Sequence, residues 1–229
     1  MSLLNQTYSS SAEANVNNME LNRCASEGCN PEVLTDIYRE ETNIVIWQRE
    51  LSDTLKNSVD SFLKSKPTFA ATMTATPESV FESVSKSLND TNQLELCENI
   101  AELVDMFCLL FELKQVGLRL AVLDGAMCPR FHVDKVPCRL LTTFQGIATE
   151  WLPNDSVNRE KLGGGSSGEL DEHSGLYENP HNIQRLSSGD VALLKGESWE
   201  GNENAGLVHR SPALTEGERR LLLTLDFVG

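Results

Sequence analysis

Two hydrophobic periods divide the chain. From Pro31 to about residue 115, apolar side chains recur at helical spacing. Leu51, Leu55, Val59 and Phe62 mark one helix, Val80, Val84 and Leu88 a second, and Leu96, Ile100, Leu103, Phe107 and Leu110 a third. TPES at 76–79 reads as the start of the second, with Thr76 as cap and Pro77 in the first turn. NIVIWQ, ahead of the first, reads as a short strand. After Gln115 the period falls to two: LRLAVLDG, PRFHVD, RLLTTFQG, ATEWL, VALLKG, GLVHRS and RRLLLTLDF follow, and a further strand is expected near Ile183–Leu186. Helices first and about eight short strands after predict an α+β fold, with N-terminal helices packed on a C-terminal sandwich or jelly-roll barrel.

Three regions follow from this pattern. Residues 1–30 are rich in Ser, Asn and Glu, lack an apolar period, and read as a disordered N-terminal arm. Residues 31–115 form the mainly helical support region, and residues 116–229 the β-barrel. A flexible insert is expected at 153–182, where KLGGGSSGELDE offers no regular element. His173 and His181 in that insert read as ordinary solvated loop histidines.

Charge and cysteine usage narrow the possibilities. The 229 residues carry a net charge of −15, which repels phosphate backbones and anionic membranes and argues against nucleic acid as a partner. The first 20 residues lack the basic start and apolar run of a secretory peptide, and no window reaches the ~18 apolar residues of a membrane span. A cytoplasmic location is expected. The six cysteines are scattered, so reduced thiols fit better than a disulfide framework. Cys24 and Cys29, spaced CASEGC, have no matching second pair and read as free thiols.

The candidate chemistry lies in CPRFHVDKVPC, residues 128–138. Alternation along a strand turns His132 and Asp134 one way and Phe131 and Val133 the other. An imidazole and a carboxylate two residues apart can grip one metal ion. GLVHRSP supplies a third donor, His209. Two His and one carboxylate on one face of an octahedral ion leave three positions open, an arrangement suited to iron(II). Arg220 opens the last strand 11 residues after His209 and shares a face with Leu222, Thr224 and Asp226; Arg219 shares the other with Leu221, Leu223 and Leu225. Cys128 and Cys138 flank the H-x-D pair and leave zinc open as the alternative metal, although buried reduced cysteine is the commoner reading. Trp151 and Trp199 could line a pocket, but core or rim packing is the plainer expectation.

H-x-D, a distant His, and an Arg about ten residues later at the start of the last strand resemble the iron(II)/2-oxoglutarate-dependent dioxygenases over roughly residues 116–229. The resemblance implies a double-stranded β-helix. It makes His132, Asp134 and His209 the metal ligands, Arg220 (in preference to Arg219) the anchor of the far carboxylate of 2-oxoglutarate, and Thr224 an accessory. The cosubstrate would take two open metal positions and O₂ the third. FHVDKVP, TEWLP, GDVALLKG and GLVHRSP also resemble an uncharacterised bacterial family of unknown function. The alternative that the cysteines raise is a non-catalytic zinc-binding protein of metal homeostasis on the same barrel.

Overall fold

The computed structural model describes residues 23–89 and 93–228. Among the described residues, ten strands form two sheets. The larger has the order β1-β2-β8-β5-β10-β4-β3 and the smaller the order β7-β6-β9. Their strands are β1 (Cys24–Gly28), β2 (Thr42–Trp47), β3 (Ala70–Ala75), β4 (Val116–Leu123), β5 (Cys138–Gln145), β6 (Glu150–Leu152), β7 (Gln184–Arg185), β8 (Val191–Lys195), β9 (Val208–Arg210) and β10 (Arg220–Phe227). Every pairing is antiparallel except β1 with β2. The described residues also hold three α-helices, α1 (Asp53–Ser65), α2 (Val80–Leu88) and α3 (Leu94–Leu110), in an α+β architecture.

Side-chain alternation turns the large sheet into two unlike faces. Leu221, Leu223 and Leu225 of β10, with Leu118 and Leu120 of β4 and Leu140 of β5, join Val59, Phe62, Val84, Ile100 and Phe107 of the helices in the main core. The opposite face contributes Ile44, Ile46, Leu141, Ala192, Leu194 and Leu222 to a second core, closed by Trp151 and Leu207 from the small-sheet side. The helical stripes of the sequence thus bury one face of the large sheet, and Trp151 is core. Trp199 packs against the main core at its rim, tilted on Tyr38 and edge-on to Phe111.

Several expectations change. Of the arm expected over 1–30, residues 1–22 lie outside the described residues, and Cys24–Gly28 is a strand, not loose chain. Nothing in CASEG signals this. The strand is held by its parallel neighbour and by Arg23, which donates to Asn202 Oδ1 and to the Gly201 and Glu40 carbonyls. The mainly helical region contains strand β3 as well as the expected β2. AATMTA is built largely from helix-favouring Ala and Met, and pairing with β4 overrides that propensity. The second helix starts at Val80, after a turn in which Thr76 and Ser79 bond one another. Residues 153–182 carry four short 3₁₀ turns in place of longer elements. They also bury Leu176 and Tyr177 against Phe131, Leu152 and Val208 in a third core.

Candidate metal centre

PRFHVD does not form a strand. A single antiparallel bridge remains, in which His132 and His209 exchange backbone hydrogen bonds of 3.0 Å in both directions. The rungs on either side are not made, because the Leu207 N–H donates to Lys195 O and the Ser211 N–H to Cys128 O. The neighbouring Phe131 N–H instead donates to the Asp171 carboxylate at 2.7 Å. Asp171 also accepts from Arg130 Nε at 2.7 Å, so the 153–182 segment braces the H-x-D loop. The alternation holds without the strand: Phe131 and Val133 go to the third core, His132 and Asp134 away from it.

Directly bridged residues place their side chains on the same side of a sheet. The rings of His132 and His209 accordingly lie 4.6 Å apart. Asp134 completes the group: Oδ1 is 3.8 Å from His132 Nε2, and Oδ2 is 3.4 Å from His209 Nε2. One donor atom from each of the three falls within 4.8 Å of the others. Each imidazole has Nδ1 against a backbone carbonyl, Arg130 O at 2.9 Å for His132 and Leu207 O at 3.2 Å for His209. A proton on Nδ1 leaves the Nε2 lone pairs free on the side of Asp134. Burial holds His209 well below the ordinary imidazole pKa against the opposing pull of Asp134, which favours the neutral, ligating form. Two neutral imidazoles and one carboxylate suit a divalent transition ion.

Further residues, none of them a site candidate from the sequence, shape the centre. Arg139 Nη1 donates to Asp134 Oδ2 at 2.8 Å, while its Nε and Nη2 grip Asp226 at 2.8 and 3.0 Å. Glu197 N–H binds the Asp134 carbonyl at 3.0 Å, and the chain passes close by at Gly196, where a Cβ would stand 2.0 Å from Val136 O. Only glycine fits there. Ser211, two residues beyond His209, accepts from Arg220 Nη2 at 3.0 Å. The carboxylate partner of Arg139 could not be read from local spacing because Asp226 lies 87 positions further along the chain.

Arg220 is 1% exposed and has no carboxylate partner among the described residues. Its other contact is a long 3.4 Å bond to Ile147 O, and its Nε has no partner. Burial alone pulls the guanidinium down to about 10. On the same face, Thr143 Oγ1, opposite Leu222 in the register, is also buried without a partner. Each such group costs about 1–3 kcal/mol when left unpaired. Thr224, on the same side of β10, lies opposite Arg119 of β4 and Leu141 of β5.

The cysteines do not join the donors. Cys138 is fully buried in the main core on the helix side of the sheet, and burial pushes its thiol strongly upward. Cys128 lies outside the only metal-capable cluster among the described residues. The zinc alternative therefore loses the feature that raised it.

The fold is similar to that of two solved plant dioxygenases. The dioxygenase for auxin oxidation 1 from Arabidopsis thaliana, solved as its 2-oxoglutarate binary complex, matches 90% of this chain over 92% of its own, with a TM-score of 0.50 at 12% identity. The dioxygenase for auxin oxidation of rice matches 90% of this chain over 83% of its own, with a TM-score of 0.52 at 10% identity. At such identities the likeness speaks for the fold. The chain belongs to the family described as Protein of unknown function (DUF1826), whose model matches residues 28–226. No curated protein matches the sequence. No helix among the described residues is long and apolar enough to cross a membrane.

Proposed function

We propose that this protein is an iron(II)/2-oxoglutarate-dependent oxygenase on a double-stranded β-helix, acting on a substrate not yet identified. His132, Asp134 and His209 would hold the metal, and Arg220, assisted by Thr224, the far carboxylate of 2-oxoglutarate. The observation that carries this reading is the pairing of a three-donor cluster with a buried guanidinium that lacks an anion. When bound, iron and 2-oxoglutarate would supply oxidative chemistry that no side chain of this chain can perform.

The residues of the chain have distinct tasks. The two carbonyls that accept from Nδ1 fix the imidazole tautomers. Arg220 offers a planar fork to a carboxylate, in a setting where exclusion of water strengthens the pair. Ser211 holds that fork in place through Nη2. Thr143 Oγ1 has a free hydroxyl proton for the same carboxylate. The apolar closure by Trp151 and Leu222 keeps solvent from the interior.

The test is anaerobic titration of the purified protein with iron(II) and then 2-oxoglutarate. A weak visible charge-transfer band that needs both additions, with 2-oxoglutarate binding by calorimetry, is the expected result. Metal-loaded protein that gives no band and binds no 2-oxoglutarate overturns the proposal.

A further inference from the structure

Resting on that reading, we infer that Arg139 and Asp226 form a lock that keeps Asp134 a one-oxygen ligand. Asp134 presents both carboxylate oxygens to the cluster, Oδ1 towards His132 and Oδ2 towards His209. Left to itself, such a carboxylate can chelate a cation through both atoms, as carboxylates do elsewhere. Here one oxygen is already engaged, because Oδ2 accepts from Arg139 Nη1 at 2.8 Å.

The lock is built, not incidental. Arg139 is a half-buried side chain of β5, and Asp226 is its directly opposed partner on β10. Asp226 holds the guanidinium through two parallel hydrogen bonds, which fixes the plane from which Nη1 reaches Asp134. Asp226 stands six residues after Arg220 on the same strand and face, so one strand carries both the lock and the cosubstrate anchor. A cation beside a metal site opposes metal binding by simple repulsion, so affinity for the ion does not explain Arg139. Denticity does. Two-oxygen chelation by Asp134 would consume one of the three open positions, and 2-oxoglutarate needs two with one left for O₂. Arg139 is thus a positioning residue that preserves open coordination at the metal.

The consequence is a split between two affinities. Arg139→Gln should bind manganese(II), used as a redox-inert probe, within threefold of the parent or more tightly, since Asp134 gains its second oxygen and a positive charge is lost. Its affinity for 2-oxoglutarate in the manganese-loaded form should fall tenfold or more. Asp226→Asn, which loosens the grip but leaves the guanidinium in place, should show the same split to a smaller degree. Both affinities are read by calorimetry, with melting temperature recorded alongside. Unchanged 2-oxoglutarate affinity in Arg139→Gln overturns the lock. Parallel loss of metal and 2-oxoglutarate with a lowered melting temperature also overturns it, because that is what a purely structural ion pair would give. Should Arg139→Gln fail to fold, Asp226→Asn alone decides on the same criterion. A parent protein that binds neither manganese nor 2-oxoglutarate instead removes the oxygenase reading on which the lock rests.

Discussion

On the helix side of β10, Leu221, Leu223 and Leu225 are fully buried, and each meets an apolar partner from β4. One residue over, the same strand points Arg220, Leu222, Thr224 and Asp226 towards the inner face. The two faces share a backbone and a register yet differ in completeness. The helix face is closed by apolar packing, its leucines satisfied by Phe62, Ile100 and Phe107, and leaves Thr142 Oγ1 unpaired. The inner face is under-satisfied, with Arg220 Nε and Thr143 Oγ1 unpaired and three donors facing one another around Asp134. A fold tolerates such costs where a ligand repays them. The difference separates residues that keep the protein folded from those free to serve a reaction.

Substitutions can break that separation. The largest effect should come from the closed face. Leu223→Ala is expected to cost about 2–5 kcal/mol, the usual range for opening a cavity in a packed core. Denaturant unfolding measures it, and the folded fraction should still bind metal normally. Asp134→Ala should do the reverse, weakening metal binding a hundredfold or more while melting stays near the parent. Arg139 keeps its two bonds to Asp226 in that variant, so no cation is stranded. An Asp134→Ala protein that binds iron(II) like the parent would erase the distinction between the faces.

Arg220→Met follows in size. Metal binding should persist, 2-oxoglutarate affinity should drop tenfold or more, and the metal-free protein should melt no lower than the parent, because an unpaired buried charge is removed. A marked loss of stability would show that Arg220 belongs with the structural residues.

The smallest effect concerns a cation on the closed face. Lys195 is buried, donates to Arg39 O at 2.9 Å, and lies over Trp199. Burial pushes its amine from its ordinary 10.5 down to about 8. The folded state therefore holds this proton less readily than the unfolded chain does. The penalty is complete below about pH 8 and fades as pH rises towards 10.5, where the unfolded chain also releases its proton. Lys195→Met should thus gain more, or lose less, in melting temperature at pH 7 than at pH 10. Equal differences at both values would show that the amine is no burden to the fold.

Much of this molecule was written in local pattern. The 3.6-residue stripes at Leu51–Phe62, Val80–Leu88 and Leu96–Phe107 appear as helices α1 to α3, and the period-two segments after Gln115 appear as strands, apart from PRFHVD. Alternation also separated Arg220 from Arg219 and His132 from Phe131, because the side of a strand on which a side chain falls depends only on its position in the chain. Other features depended on partners far away. Cys24–Gly28 and Ala70–Ala75 are strands because β2 and β4 offer them hydrogen bonds, against their own composition. That the imidazoles of His132 and His209 meet is decided by one backbone bridge across 77 positions of sequence, and that Asp134 is held by Arg139 and Asp226 is decided by the register of β5 on β10. Spacing along a chain carries no record of these distances, because the strands that set them pair through backbone atoms common to every residue.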